Sequence, residues 1–270
     1  MLFVQRLLKE NSWKYLIFFI MFLILGIILQ LNFLKETGGQ YALNIQNLYV
    51  LLWYGREPIR EYTSGTIIRI PGLWFWIHSV LYILLLRCTN RNEDYPYMWV
   101  IEQTSRSKIW SQIVCRLILN TMIYMGGLWL AFDIATGIGK GLPRMTEGFG
   151  ELDGIYRHLA LDISENSLKF WIHVIIMPLL VCITLHMLQE VSAMFLGMQM
   201  SIVISFGYLF IANFVYGWGI IGNATMLSRS EFLGYSEDWW KTGLLCISIC
   251  IISYLIGYQR ITKKDIMEGI

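Results

Sequence analysis

The sequence predicts an all-α integral membrane protein, with six transmembrane helices in a single domain covering residues 1–270. Three observations predict it. Apolar residues make up 56% of the chain and charged residues only 15%, against roughly half and about a quarter in soluble domains. Uncharged residues gather into helix-length runs, and a run of ~18 or more reads as a membrane span. Charge gathers between the runs, most densely inside the chain from Arg91 to Arg116. The net charge of +2 is too small to imply a polyanionic partner, so no nucleic acid is expected.

Taken in order, Phe3, Val4, Leu7 and Leu8 alternate at helical spacing with Gln5, Arg6, Lys9 and Glu10. That pattern predicts a short amphipathic elbow helix lying in the membrane interface. The first span, 15–33, follows. Its length and the lack of a small-residue cleavage site after it argue against a signal peptide. Residues 34–70 are too polar to span. Tyr41, Ile45, Leu48, Tyr49 and Leu52 share one helical face there, which predicts a helix lying on the bilayer surface. Gly38-Gly39 and Ser64-Gly65 read as turns beside it. Pro71 opens the second span, 72–86, as a first-turn proline.

The third span is 111–132, with Arg116 near enough to its end to snorkel. A polar loop from Asp133 to Lys169 follows, and Asp133 reads as a solvated boundary. The fourth span is 170–189, with a kink expected at Pro178. Glu190 separates it from the next apolar run and marks a tight hairpin. That run, Val191 to Ser228, carries no charge over 38 positions. As one straight helix it would be ~57 Å long against a hydrocarbon core of ~30 Å. It must turn. The fifth span is therefore placed at 191–214, and the region of Gly217, Gly219, Gly222 and Asn223 is expected to be re-entrant or on the surface. The sixth span is 242–258.

Six spans put both termini on one side, and Lys and Arg decide which. With the termini inside, the inner segments hold Arg6, Lys9, Lys14, Arg87, Arg91, Arg106, Lys108, Arg116, Arg260, Lys263 and Lys264. Those are eleven bases against seven acids, whereas the outer segments hold ten bases and twelve acids in about twice the length. Both termini are expected in the cytosol.

Several chemistries lack their residues. Gly137-Ile138-Gly139-Lys140 has neither the upstream glycine nor the following Ser or Thr of a phosphate-binding loop. No zinc-protease motif, serine-hydrolase elbow or paired-carboxylate motif is present, so no catalytic residue is expected. The five cysteines fall in or beside spans without metal-ligand spacing, so no metal site is expected and they read as small apolar side chains. His78, His173 and His186 lie within spans. Each is a functional candidate by position, and more simply a side chain hydrogen-bonded to its neighbours.

Within Arg91 to Arg116, Asp94 can cap and Pro96 can begin a short helix, Tyr97 to Gln103. Tyr97, Met98 and Ile101 share one side of it. Thr104 to Ser107 breaks it, and Lys108-Ile109-Trp110 leads back into the membrane. On pattern alone this element is either a handle for a soluble partner or an interfacial elbow without one.

The chain resembles the permease subunits of ABC-2 type transporters, the small six-span permeases of bacteria. Three stretches carry the resemblance: Pro71-Gly72-Leu73-Trp74, the loop from Asp94-Tyr95 through Thr104-Ser105-Arg106-Ser107-Lys108-Ile109-Trp110, and Gly222-Asn223-Ala224-Thr225-Met226-Leu227-Ser228-Arg229 with the Lys263-Lys264-Asp265-Ile266 tail. The resemblance implies that Tyr97 to Gln103 is a cytosolic coupling helix docking in a groove of an ATPase subunit. Tyr97, Met98 and Ile101 would be its knobs, with Glu102, Arg106 and Lys108 as polar contacts.

It also implies an ATPase dimer as partner, carrying ATP and magnesium, and a second permease copy or paralogue beside this one in the bacterial cell membrane. The first, second and fifth spans would line the path, which makes Trp74, Trp76, His78 and Phe206 candidate lining residues. An apolar, aromatic lining suits export of a peptide, an antimicrobial or another amphipathic substrate. The alternative is a non-transporting membrane immunity or sensor protein that binds a peptide through its outer loops.

Overall fold

In the computed structural model, which describes residues 2–55, 72–88, 106–138, 140–143, 167–217, 219–230 and 239–263, every regular element is helical. The elements are α1 (Leu2–Glu36), α2 (Ile45–Trp53), α3 (Gly72–Cys88), α4 (Arg106–Ala135), α5 (Ser167–Trp171), a π-turn (Ile172–Ile176), α6 (Met177–Leu196), α7 (Met198–Phe214) and α8 (Trp239–Lys263). Four stretches among the described residues are long and apolar enough to cross a membrane: Ser12–Glu36, Lys108–Ala135, Leu168–Leu196 and Trp239–Thr262. In hydrocarbon only a helix satisfies every backbone group within its own segment, which is why apolar runs of this length fold so. The shorter α3 and α7 have 17 residues each, about 25 Å, the lower limit for a span.

Contacts fix the directions. Tyr15 donates its hydroxyl to Asn120 Oδ1, and Gln30 Nε2 donates to the Ile138 carbonyl at 2.9 Å, so α1 and α4 run parallel. The His173 and Trp239 rings meet at 6.4 Å, and the Thr184 hydroxyl lies 3.3 Å from Cys250 Sγ, so the helix through α6 runs parallel to α8. Trp110 near the start of α4 donates to the Tyr254 carbonyl near the end of α8, which sets the two pairs antiparallel. Trp74, at the start of α3, reaches Thr225 beyond the end of α7, and α7 folds back on α6. The six apolar helices therefore alternate in direction along the chain. The end of α3, the start of α4, the α6–α7 turn and the end of α8 share the end of the bundle where α1 begins, here the near end.

Three placements differ from the sequence reading. First, α1 is continuous over its 35 residues. The expected elbow is therefore the opening turns of the first span's own helix. Second, α2 does not lie on the surface. Leu48, Val50, Leu52 and Trp53 are fully buried in the main core. Residues 45–53 carry no charged side chain, and a helix apolar all round is buried. Asn44 and Asn47 close its start reciprocally, each side chain accepting from the other's backbone N–H at 2.7 and 3.0 Å. Burial, and after it the Asp133 carboxylate, pushes the Tyr49 phenol well above its ordinary range.

Third, the hairpin turns at Gly197 rather than at Glu190. Glu190 lies within α6 and is buried; at Gly197, φ is 78° and the helix axis reverses. Ser192 and Ser201 Oγ, 2.7 Å apart, and Ser201 Oγ donating to the Gln189 carbonyl at 2.6 Å tie the two arms together. Just before Pro178, where a kink is expected, the helix makes the π-turn. Proline has no N–H and its ring crowds the carbonyl four residues back, so one wider turn absorbs both faults.

Outward-facing Leu244, Ile247, Ile251, Ile252 and Leu255 on α8, and Met200, Val203, Ile204 and Ile211 on α7, are exposed. Apolar exteriors of this kind on long apolar helices suit a protein whose solvent is lipid.

Candidate functional site

The site is built at the far end, where the segment after α7 folds back into the bundle. Residues Ile221–Thr225 and Leu227–Arg229 form two 3₁₀ turns, and every residue from Ile221 to Ser230 is buried. Of the re-entrant and surface alternatives for this region, the described residues from Ile221 onward take the buried course. A backbone going inside must find partners for its polar groups. Ser228 N–H donates to the Tyr54 carbonyl at 2.9 Å, beyond the end of α2. Trp74 Nε1 donates to Thr225 Oγ1 at 2.7 Å, and that hydroxyl donates to the Gly222 carbonyl at 2.8 Å. Gly55, at φ 71°, passes so close that a Cβ there would meet Met226 Cγ at 2.5 Å.

Arg229 is the centre of this knot and is fully buried. Its guanidinium donates to the carbonyls of Ala212 at 2.6 Å, Asn213 at 2.7 Å and Val215 at 3.2 Å, and to Asn223 Oδ1. The last carbonyls of a helix have no intrahelical donor, and the helix dipole is negative there. One planar cation answers several of them at once, which a lysine could not. Asn223 Nδ2 reinforces it by donating to Val215 and Gly217 carbonyls, both at 3.1 Å.

One layer deeper, α2, α3, α4 and α6 bring rings and imidazoles together. The His78 ring lies 4.4 Å from that of Trp74 and 5.8 Å from that of Trp53. His78 Nδ1 is 2.8 Å from the Trp74 carbonyl, which can only accept, so Nδ1 carries the proton. Thr121 gives its hydroxyl proton to the Leu117 carbonyl, leaving its oxygen to accept from His186 Nδ1 at 3.1 Å. Tyr124 hydroxyl donates to the Ile77 carbonyl at 2.9 Å. With His173 Nδ1 donating to the Lys169 carbonyl at 2.9 Å, each of the three helical histidines has the neighbouring partner expected of it.

At the near end, Trp110 is fully buried and donates to the Tyr254 carbonyl at 2.8 Å, while Ser111 Oγ and Tyr254 hydroxyl are 2.9 Å apart. A Cβ on Gly257 would fall inside the Trp110 indole, so only glycine lets α8 approach this closely.

Of the predicted path residues, Trp74 and His78 are brought together and fill the interior. Trp76 turns to α1, its ring 5.9 Å from Phe22, and Phe206 meets Phe75 at 6.4 Å. Of the predicted coupling residues, Tyr97, Met98, Ile101 and Glu102 lie outside the described residues. Arg106 opens α4, and Lys108 is exposed on its first turn. Sequence reasoning named Arg229 only as the last residue of the Gly222 to Arg229 stretch and gave it no role of its own. The signal available was its place as the first charge after 38 uncharged positions. Among the described residues no group of three or more metal-ligating side chains gathers. Compared with known proteins, the chain matches no protein-family model, no curated protein and no solved structure, so the ABC-2 permease family stands as a resemblance carried by its own residues.

Proposed function

We propose that the chain is the membrane-spanning permease subunit of an ATP-driven ABC transporter in a bacterial cell membrane, exporting a peptide, an antimicrobial or another amphipathic substrate. All six apolar helices, α3 and α7 included, cross the bilayer in this reading, with both termini in the cytosol. The observation that carries it is the alternation of helix directions. It puts the end of α3 at Cys88 and the start of α4 at Arg106 together at the near end, and under this reading that end holds the inner excess of bases. A soluble ATPase would find its coupling segment there.

The route for a push is supported by the same geometry. Segment 89–105 continues directly into α4, whose first turns are clasped to α8 through Trp110 and Tyr254. In the proposed cycle ATP closes the ATPase dimer, the segments carrying Tyr97, Met98 and Ile101 approach, and α4 with α8 moves against the α3–α7 side. ATP and magnesium stay on the partner.

Copurification tests this. Full-length protein captured from its native membrane under mild detergent should bring down a nucleotide-binding ATPase in stoichiometric amount. A stable preparation with no ATPase, retaining peptide binding, would favour the non-transporting immunity or sensor protein instead.

A further inference from the structure

Among the buried nitrogens of the described residues that lack a protein partner, two belong to touching rings, and they are chemical opposites. Trp53 Nε1 is an obligatory donor at the end of α2, on a residue with no exposed surface. His78 Nε2 belongs to a residue only 1% exposed. Because Nδ1 spends its proton on the Trp74 carbonyl, Nε2 is left as a bare acceptor. The two rings are in edge contact, centroids 5.8 Å apart. Neither nitrogen reaches any hydrogen-bonding group of the described protein.

Leaving either group dry costs about 1–3 kcal/mol, and buried polar groups are almost always satisfied by protein or by ordered water. A carbonyl could answer only the indole, and an ammonium only the imidazole. A hydroxyl answers both, accepting with its oxygen and donating with its proton. We infer that a hydroxyl group, water's or a small ligand's, is bound between Trp53 and His78 inside the bundle. The site joins α2 to α3 by a bridge that neither side chain makes alone, and buried waters of this kind are integral parts of folds. The inference does not depend on the transport reading.

Magnetic resonance on full-length protein in lipid bilayers tests it. The chain has four histidines, so ¹⁵N-histidine labelling gives few signals, and His78→Gln assigns the relevant one. The expected result is an Nδ1-protonated ring whose Nε2 resonance is displaced from the free-imine position and shows a contact to a hydroxyl proton. If water is bound, the contact is lost in D₂O. If a ligand hydroxyl is bound, contacts to carbon-bound protons survive the exchange. Trp53→Phe should keep the tautomer, which Trp74 sets, and lose most of the contact. Should that substitution prevent folding, the Trp53 indole ¹⁵N–H in the unaltered protein serves, with its own contact to the same proton. An Nε2 at the free-imine position with no hydroxyl contact, or a ring protonated at Nε2, overturns the inference.

Discussion

The indole of Trp110 packs so close to Gly257 that a Cβ there would overlap its Cζ2, and its N–H reaches back to the carbonyl of Tyr254 one turn earlier on α8. Here α4 packs an indole directly on the backbone of α8 at Gly257, which has no side chain of its own to stand between. Replacing Gly257 by alanine should cost about 1–3 kcal/mol through overpacking. The melting temperature of the detergent-solubilised protein should fall accordingly. Trp110→Phe shrinks the ring and should partly relieve it, so the double variant should be less destabilised than the two single losses added. Strict additivity would remove the contact from the account.

Arg229 offers the sharpest stability test. Methionine there removes the guanidinium donors to the carbonyls of Ala212 and Asn213, both on fully buried residues at the end of α7, while the Val215 carbonyl keeps its Asn223 donor. Each stranded acceptor costs about 1–3 kcal/mol, so Arg229→Met should be among the most damaging single changes, with little monodisperse protein recovered. Arg229→Lys keeps the charge and loses the fork, and should fall between the two. Equal melting of all three forms would contradict the capping role.

Labelling tests the topology in the proposed reading. A cysteine at Asn92 should react with a membrane-impermeant thiol reagent only after cells are permeabilised, whereas one at Ser164 should react in intact cells. Reversed accessibility would place the termini outside.

The coupling assignment stands on residues 97–103. Truncating Tyr97 and Ile101 together to alanine should lower ATPase capture and coupled transport at least tenfold, about 1.4 kcal/mol of docking. The amount of protein in the membrane should stay constant. Undiminished capture in that double variant would sink the assignment.

The apolar runs were readable because a span needs little more than length and hydropathy, and the turn at Gly38-Gly39 shows the positive φ its glycines announce, 60° and 77°. The rest was hidden for particular reasons. In α2 the stripe from Tyr41 to Leu52 was visible, but Val50, Leu51 and Trp53 fill the opposite side, and a stripe cannot show what covers its back. Glu190 resembled a boundary because a charge in an apolar run usually is one; here the helix continues past it, and Gly197 turns the chain. The cysteines divided: Cys182 and Cys246 are buried, while Cys115 is exposed on α4. Arg229 was unreadable as a cap, because its partners are backbone carbonyls 14 to 17 residues back, which no side-chain pattern records.

The π-turn before Pro178 has an effect on aim. Met177 N–H donates to the Ile172 carbonyl, five residues back, so one extra residue is wound into the helix. That extra residue rotates everything above the turn by about 100° relative to everything below. His173 can therefore face Trp239 on α8 while His186, on the same apolar rod, faces Thr121 on α4. Deleting a single residue between Ile172 and Ile176 would re-phase the two halves and force one imidazole out of its seat, with no change in hydropathy or in the length needed to span.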